Sequence, residues 1–389
     1  MSHPGSDAHS AREAASAGLG KIKHIIAVGS GKGGVGKSTV TVNLAAALQK
    51  GGATVGVLDA DIYGPSQPGM LGAESDQVMG RGDLILPNEK HGLRFVSMGL
   101  MLDSPDEPVI WRAPIAMKVI NQFLGSVAWG ELDYLLIDLP PGTGDVQLTL
   151  SQNAQLSGAV VVTTPQHVAL GVARRGLRMF DTVKVPILGI VENMSGFTCS
   201  HCHQITHVFD HGGGEALASE LELPFLGALP LDPEVVRSGE DGVPVVHRAP
   251  DSSAAAAFTR LAERLQSEVA RERERHGEVP EEYALDPDGV LQIRWSDGHQ
   301  GRHTAYNLRV ACQCAGCVDE NTGQRTLDPD QVPLDVTVEG AQPVGRYALA
   351  FTFSDGHNTG IYSYPRLREI CECAECQRGR GQESQEFAI

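Results

Sequence analysis

The chain has 389 residues, which is long for one hydrophobic core and suits two domains. Hydrophobic residues make up 41% of it and charged residues 20%, so the chain can bury a real core. Its 31 basic and 48 acidic residues give a net charge of −17, which argues against non-specific binding to nucleic acid or to an anionic membrane.

The N-terminal segment, residues 1–22, is predicted to be a disordered tail. It has no basic region followed by an apolar one, so we expect no export signal. No apolar run in the chain approaches the ~20 residues that a bilayer span needs. We therefore expect a cytoplasmic protein that binds no membrane and keeps its thiols reduced.

Residues 23–267 predict an α/β domain with a doubly wound, mainly parallel sheet. Short apolar runs alternate with helical ones, including Ser38–Lys50 and His167–Val183. The candidate strands are almost continuously apolar, as expected for parallel strands that are covered on both faces. They are HIIAVGS, TVGVLDAD, YLLIDLP, GAVVVTT, PILGIVEN and PFLGALP.

A phosphate-binding loop follows the first strand. Residues Gly31–Ser38 match G-x-x-x-x-G-K-[ST] and open a helix, which is the context in which this motif binds ATP. The backbone N–H groups can wrap a phosphate chain at the helix N-terminus. Lys37 is expected to reach the β- and γ-phosphates, and the Ser38 hydroxyl to bind Mg²⁺. The predicted nucleotide-binding residues of the loop are Gly31, Lys32, Gly33, Gly34, Val35, Gly36, Lys37, Ser38 and Thr39.

Acidic residues at two strand ends complete the predicted P-loop NTPase site. Asp59 and Asp61 follow one strand and Asp138 ends another. We predict that Ser38, Asp59 and Asp138 hold Mg²⁺ and that Asp61 orients the attacking water. The alternative interpretation is that a strand-end aspartate only caps a turn. The predicted catalytic residues are Lys32, Lys37, Asp61 and Asp138.

The loop carries a second lysine, Lys32, between two glycines. The form GKGGVGKST resembles the deviant Walker A motif of the MinD/ParA/ArsA-like ATPases. This resemblance implies that Lys32 reaches across a homodimer to the partner's nucleotide, where its charge acts like an arginine finger. Dimerisation is then expected to depend on nucleotide.

All eight cysteines lie in three tight clusters, and the first cluster is Cys199 and Cys202. In a reducing compartment such spacing indicates metal or redox chemistry rather than structural disulfides. Two thiolates cannot complete a four-sulfur site, but two subunits can. A thioredoxin-like redox pair is an alternative. So is a local zinc site, because histidines crowd the same loop at positions His201, His203, His207 and His211.

Residues 23–265 resemble the Mrp (ApbC-like) family of iron–sulfur carrier ATPases. The resemblance implies that Cys199 and Cys202 of two subunits hold one [4Fe–4S] cluster at a homodimer interface, and that Asn193 reads the adenine. It also implies apo iron–sulfur proteins and cluster donors as partners. The stretches that carry it are GSGKGGVGKST, DADIYGPSQP, DLPPGTGD, VVVTTPQ, ENMSGF with its C-x-x-C, and LGALPLDPEVVRSGEDGVPVV.

Residues 268–284 are predicted to be a linker, because a charge run there gives way to a Pro- and Glu-rich stretch. Beyond it, RWSDGHQGRHTAYNLRVACQCAGC is echoed by TFSDGHNTGIYSYPRLREICECAEC. Each copy is expected to begin as a hairpin at its Ser-Asp-Gly turn. This repeat predicts a small β-rich domain over 285–376, followed by a tail over 377–389.

The domain over 285–376 resembles the N-terminal domain of γ-butyrobetaine hydroxylase. The resemblance implies a zinc ion held by Cys312, Cys314, Cys317 and His357, a donor set that suits a closed structural site. The last cluster, Cys371, Cys373 and Cys376, is not part of that family's site. The repeat suggests a second metal with His299, and a flexible arm that handles iron–sulfur cargo is the alternative. The hydroxylase activity is not expected, since no Fe(II) facial triad is present.

Together these features predict a homodimeric, ATP-dependent iron–sulfur carrier that transfers [4Fe–4S] to apo-proteins. Slow ATP hydrolysis is expected, because it would time a conformational cycle. A MinD/ParA-like partitioning ATPase and a zinc-stabilised regulatory ATPase are the alternatives.

Overall fold

A computed structural model of the chain divides into two compact units, Met1–Val269 and Ala270–Ile389. It describes Leu19 and residues 21–378, apart from 62–63, 82–83, 102–112, 143, 155, 200, 203, 277–278, 296, 320–323 and 345–347. The predicted N-terminal tail lies outside the described residues as far as residue 18. Leu19, however, is buried and the first strand begins at Ile22, so the ordered core starts earlier than predicted. The predicted C-terminal tail lies outside the described residues from 379 onwards.

The first unit is built on a central sheet of eight strands among the described residues. Their order is β12-β9-β8-β1-β7-β2-β6-β5, and every neighbouring pair is parallel except β5 with β6 at the edge. The first unit's strands are β1 Ile22–Ser30, β2 Val55–Asp59, β3 Met79–Arg81, β4 Leu84–Leu86, β5 Asn88–Lys90, β6 Leu93–Ser97, β7 Leu132–Asp138, β8 Gly158–Thr163, β9 Ile187–Glu192, β10 Phe197–Thr198, β11 Ile205–Thr206 and β12 Phe225–Ala228.

Helices cover both faces of this sheet and enclose two hydrophobic cores. One core contains Phe123, Trp129 and Phe180, and the other contains Phe95 and Phe258. The helices are α1 Lys37–Lys50, α2 Gln67–Met70, α3 Ala113–Ser126, α4 Asp145–Asn153, α5 His167–Thr182, α6 Gly213–Glu220, α7 Pro233–Glu240, α8 Val245–Arg248 and α9 Ser253–His276. All six predicted strands form, and the predicted doubly wound, mainly parallel sheet is confirmed. Within the described residues, every helix is too short or too polar to span a bilayer.

Strand register places the polar strand ends side by side. Asp59 is the register partner of Ser97 on β6 and of Asp138 on β7. On the other side of the phosphate-binding loop, Thr163 at the end of β8 pairs with Glu192 at the end of β9. Since the carboxyl ends of parallel strands share one edge of the sheet, these side chains surround the loop that leaves β1.

The segment predicted as a linker is largely regular structure. Helix α9 continues to His276, and β13 begins at Glu282, inside the predicted linker. The charge run is rich in Glu and Arg, which favour helix even without an apolar face. The strand is stabilised by pairing with β14 (Leu291–Arg294), a contact that local composition does not reveal.

The second unit contains two three-stranded antiparallel sheets within the described residues, ordered β13-β14-β15 and β16-β17-β18. Both predicted hairpins form, as the pairs β14–β15 and β17–β18, although Ser296 of the first turn lies outside the described residues. Trp295, Phe351 and Phe353 lie in the unit's own core. Its strands and helices are β13 Glu282–Leu285, β14 Leu291–Arg294, β15 Gln300–His303, β16 Val338–Val344, β17 Ala348–Phe353, β18 Gly360–Ser363, α10 Ala305–Val310 and α11 Tyr364–Glu369.

Candidate functional site

The phosphate-binding loop joins β1 to α1 and borders a cavity of about 240 Å³. Helix α1 begins at Lys37, so its N-terminal N–H groups face the loop, where they favour an anion. Gly36 has a φ of 79°, and a Cβ there would lie 2.3 Å from Nδ2 of Asn193. Only glycine meets both conditions without strain. Ser38 and Thr39 line the cavity with Gly33, Gly34, Gly36 and Lys37.

Lys37 is buried between two carboxylates. Its Nζ lies 2.5 Å from Oδ1 of Asp138 and 3.5 Å from Oδ2 of Asp61. The Asp138 carboxylate also accepts hydrogen bonds from Thr41 Oγ1 at 3.1 Å and from Gln67 Nε2 at 2.8 Å. The structure therefore brings three of the four predicted catalytic residues into one cluster beside the phosphate-binding loop.

Asp59 is fully buried next to this cluster. Its carboxylate accepts hydrogen bonds from Ser97 Oγ at 2.7 Å and from the backbone N–H groups of Asp61 and Gln67. Burial, and then the neighbouring Asp138 carboxylate, raise the pKa of Asp59 to about 7. Two adjacent buried carboxylates repel each other, and a divalent cation would relieve that repulsion. The arrangement therefore fits the Mg²⁺ site predicted for Ser38, Asp59 and Asp138.

Sequence reasoning missed the polar residues that support these carboxylates, namely Thr41, Gln67 and Ser97. Gln67 lies in the stretch GPSQP, shortly after Asp59 and Asp61. This closeness in sequence is the one feature that could have indicated a role for Gln67 beside those acids. Ser97 gave no signal, because only the pairing of β6 with β2 places it beside Asp59.

Lys32, the fourth predicted catalytic residue, contacts a different element. Its Nζ lies 3.3 Å from Oε1 of Gln166, the residue that precedes α5. Lys32 is not among the described residues that line the cavity. Its charge is therefore placed outside the chain's own phosphate site, at the start of another helix.

Asn193 links the phosphate-binding loop to the segment that carries the first cysteine pair. Its Nδ2 donates to the Val35 carbonyl at 2.9 Å, and its Oδ1 accepts from the Met194 N–H at 3.0 Å. The residue is nearly buried against Gly36. A movement of the loop around Val35 would therefore change a hydrogen bond at the start of the cysteine segment.

Glu192 accepts hydrogen bonds from both ends of that segment, and the sequence did not predict these contacts. Its buried carboxylate accepts from Ser195 Oγ at 2.6 Å, from the Gly212 N–H at 3.0 Å and from the Gly214 N–H at 2.6 Å. Residues 193–211 therefore form a loop whose two ends are held by one side chain. The donors Gly212 and Gly214 lie at the N-terminus of α6, where a carboxylate is favoured.

Cys199 and Cys202 lie at the tip of a short hairpin formed by β10 and β11. Cys199 is partly exposed and Cys202 is exposed. The backbone N–H groups of Cys202 and His201 lower the pKa of the Cys199 thiol, so they favour the thiolate that metals bind. An exposed hairpin tip is unlike the helix N-terminus that holds a thioredoxin-like pair.

The alternative zinc site on this hairpin does not form among the described residues. The rings of His207 and His211 stack with their centroids 4.0 Å apart, and Nδ1 of His207 lies 3.0 Å from the Ser195 carbonyl oxygen. His203 lies outside the described residues. In the described part of the chain, groups of three or more His, Cys, Asp or Glu ligand atoms occur only in the second unit.

The second unit contains two such groups of four residues. In the first, the ligand atoms of the predicted zinc residues lie within 4.8 Å of one another. Nε2 of His357 is 3.2 Å from the sulfur of Cys312, 3.6 Å from that of Cys314 and 4.0 Å from that of Cys317. The second group consists of His299, Cys371, Cys373 and Cys376, as the repeat suggests. Both groups have the three-sulfur, one-nitrogen donor set of closed structural zinc sites.

Comparison with known proteins agrees with this two-part arrangement. Residues 21–266 match the ParA family described as NUBPL iron-transfer P-loop NTPases, and residues 284–368 match the γ-butyrobetaine hydroxylase-like N-terminal domain. An iron–sulfur cluster carrier protein of Aquifex aeolicus is 51% identical over 64% of this chain and 68% of its own length. One from Methanocaldococcus jannaschii is 48% identical over 66% of this chain and 88% of its own length.

A solved structure supports the same assignment for the first unit. A nucleotide-binding protein from Archaeoglobus fulgidus, in complex with ADP, is 40% identical and superposes with a TM-score of 0.53. The match covers 59% of this chain and 91% of that protein. The chain belongs to the ParA/NUBPL family of iron-transfer P-loop NTPases and carries a γ-butyrobetaine hydroxylase-like N-terminal domain behind its NTPase unit.

Proposed function

We propose that this protein is an ATP-dependent carrier of [4Fe–4S] clusters, and that two copies hold one cluster through Cys199 and Cys202 of each. The observation that carries the proposal is the exposed cysteine hairpin whose base contacts the phosphate-binding loop through Asn193. Two relatives about half identical to the first unit are iron–sulfur cluster carrier proteins. Two thiolates from each copy supply the four sulfur ligands that such a cluster takes.

ATP is proposed to bind along the loop Gly31–Thr39, with Lys37 on its β- and γ-phosphates. Mg²⁺ would be held by Ser38, Asp59 and Asp138, and would neutralise charge on the phosphates. Asp61 lies beside Lys37 and is proposed to orient the attacking water. Asn193 is proposed to read the adenine.

Lys32 is proposed to act on the nucleotide of the second copy. Its contact with Gln166 keeps its charge outside its own phosphate site, which supports a role in trans. ATP would then draw two copies together and bring the four thiolates into one site. Slow hydrolysis would release that contact, so turnover would time cluster transfer rather than yield a metabolic product.

The proposed partners are a second copy of this chain, cluster donors and apo iron–sulfur proteins, and the proposed location is the cytoplasm. The second unit is proposed to bind a structural Zn²⁺ through Cys312, Cys314, Cys317 and His357. Thr359 Oγ1 donates to the sulfur of Cys314 at 3.2 Å and Nη1 of Arg309 to that of Cys317 at 3.4 Å, contacts that stabilise thiolates.

The test is anaerobic reconstitution of the full-length protein with iron and sulfide. We expect four iron and four sulfide ions per two chains, a dimer by light scattering in the presence of ATP, and transfer of the cluster to an apo-enzyme. Cys199→Ser and Cys202→Ser are each expected to abolish cluster binding while ATP binding is unchanged. Lys32→Ala is expected to bind ATP as a monomer and to lose ATP-dependent dimerisation.

Two results would contradict the proposal. A monomer that retains a complete cluster at Cys199 and Cys202 would remove the need for a second copy. A Lys32→Ala variant that dimerises and hydrolyses ATP like the parent would remove the role in trans.

A further inference from the structure

The last cysteine cluster forms a four-ligand group with a histidine from the other half of the second unit. Nε2 of His299 lies 3.5 Å from the sulfur of Cys371, 3.9 Å from that of Cys373 and 3.7 Å from that of Cys376. All four ligand atoms lie within 4.8 Å of one another. Cys371 is buried, and the His299 side chain is only 10% exposed.

These distances suit a tetrahedral ion. Bonds of ~2.3 Å from zinc to sulfur and ~2.0–2.1 Å to nitrogen, at tetrahedral angles, separate sulfur from nitrogen by about 3.6 Å. The three distances from His299 scatter around that value at least as closely as the 3.2, 3.6 and 4.0 Å of the His357 group. The second group is therefore as well formed as the first.

The two groups have the same arrangement, because each combines the histidine of one repeat with the three cysteines of the other. The histidine in the turn of one repeat faces the cysteines that follow the helix of the other repeat. In each turn an aspartate side chain accepts a hydrogen bond from the backbone N–H of the histidine, Asp297 from His299 at 2.9 Å and Asp355 from His357 at 3.0 Å.

The same two aspartates also pair with arginines of the opposite repeat. Asp355 receives Nε of Arg309 from α10 at 2.6 Å, and Asp297 receives Nη2 of Arg368 from α11. Both histidines are thus held by equivalent contacts, and the cysteines come from the segment directly after each arginine-bearing helix. Such second-layer contacts orient metal ligands in proteins.

Further contacts fix the cysteine segment itself. Glu372, between two of the cysteines, accepts from the N–H and Oγ1 of Thr304 and from Nδ2 of Asn307, at the start of α10. The sulfur of Cys371 accepts the Cys373 N–H at 3.5 Å, and that of Cys373 accepts the Cys376 N–H at 3.4 Å. The segment is therefore an ordered part of the unit and not the flexible arm considered above.

We propose that His299, Cys371, Cys373 and Cys376 form a second, closed zinc site. It is separate from the cluster-binding cysteines and does not depend on the proposed carrier function. The match to the γ-butyrobetaine hydroxylase-like domain ends at residue 368, so three of the four ligands lie beyond it. Three thiolates and one neutral imidazole fill all four positions, so the site holds a structural ion and leaves no open position for a substrate.

The test is zinc and iron counting by mass spectrometry on the full-length protein in a Cys199→Ser/Cys202→Ser background, which removes iron bound by the hairpin. We expect two zinc ions per chain in this parent. Cys373→Ser/Cys376→Ser is expected to retain one zinc, and Cys314→Ser also one. Ala374→Ser is the matched control, because it changes an exposed residue between the ligands, and it is expected to retain two.

Three results would overturn the proposal: one zinc per chain in the parent, two zinc ions retained after loss of Cys373 and Cys376, or iron in place of the second zinc. Circular dichroism of each variant identifies misfolding. If the double variant misfolds, the zinc count of the folded parent still distinguishes one site from two.

Discussion

The positive charge of Lys37 is paired with carboxylates of the protein itself. Its ammonium group contacts Asp138 and lies near Asp61, and both acids are nearly buried. Removing one partner of a buried ion pair leaves the other charge without compensation, which is more costly than never having had the pair. The same lysine therefore contributes to the stability of the fold, in addition to its proposed contact with phosphate.

Lys37→Ala is expected to weaken ATP binding by more than tenfold and to lower the free energy of unfolding by about 3 kcal/mol. Titration calorimetry measures the first effect and urea unfolding the second. Lys90→Ala is a suitable control, because Lys90 forms a surface pair with Asp76 at 3.5 Å and is expected to change stability by less than about 1 kcal/mol. Unchanged ATP affinity in Lys37→Ala would contradict the assigned phosphate contact.

His303 is a second residue whose charge state matters for stability. It is 1% exposed, and neither ring nitrogen has a hydrogen-bond partner in the described part of the chain. Burial lowers the pKa of His303 to about 4. The unfolded chain therefore binds this proton first, so the neutral histidine's contribution is complete above pH ~6.5 and is lost as the pH falls towards 4.

Between pH 7.5 and 5.5 this residue is expected to cost the second unit about 1 kcal/mol of unfolding free energy. Hydrogen exchange of peptides from residues 284–378, measured with excess zinc at each pH, reports that stability. His303→Leu should remove this part of the pH dependence. The same acid sensitivity in the variant and the parent would exclude His303 as its source.

At the scale of elements, the loop over residues 193–211 depends on the Glu192 side chain at its base. One carboxylate accepts from Ser195, Gly212 and Gly214, so it joins both ends of the loop. The same strand end continues into Asn193, which contacts the phosphate-binding loop. Two consecutive residues therefore contribute to the position of the cysteine hairpin.

Glu192→Gln is expected to loosen this loop, because an amide replaces at least one of the accepting oxygens with a donor. We expect hydrogen exchange over residues 194–211 to become about tenfold faster and the lifetime of the bound cluster to shorten. The affinity for ATP is expected to stay within about twofold of the parent. Glu215→Gln, an exposed change in the first turn of α6, is the control and should leave exchange unaltered. Unchanged exchange in Glu192→Gln would show that other contacts hold the loop.

Elements that depend on local residue patterns can be predicted from sequence, and those that depend on strand pairing cannot. The strand-end acids Asp59 and Asp138 were predictable, because apolar runs mark parallel strands and their carboxyl ends share one edge. Ser97 was not, since its place beside Asp59 depends on which strand pairs with β2. Strand β13 was missed for the same reason: it is exposed, and its pairing with β14 rather than its composition makes it a strand.

In the molecule as a whole, each unit has its own hydrophobic core and its own proposed ligand, ATP with Mg²⁺ for the first unit and zinc for the second. Ligands that bind only the folded state stabilise the unit they bind. ATP with Mg²⁺ is therefore expected to raise the melting temperature of the first unit, and zinc that of the second.

Calorimetry of the full-length protein should then resolve two transitions. A zinc chelator is expected to lower one of them by at least about 10 °C and to leave the other unchanged, while ATP raises only the other. Hydrogen exchange of peptides from either side of Val269 assigns each transition to a unit. One transition that both treatments shift equally would mean that the units unfold together.

Each four-ligand group takes its histidine from one repeat and its cysteines from the other, so neither group is complete until both repeats have been synthesised. Cys317 precedes His357 by 40 residues, and His299 precedes Cys371 by 72. A nascent chain therefore exposes incomplete ligand sets until most of its C-terminal part has left the ribosome, when the nucleotide-binding unit has already emerged. The proposed metal binding in the C-terminal part is therefore expected to come last, and a chain truncated shortly before His357 would lack at least one ligand of each group.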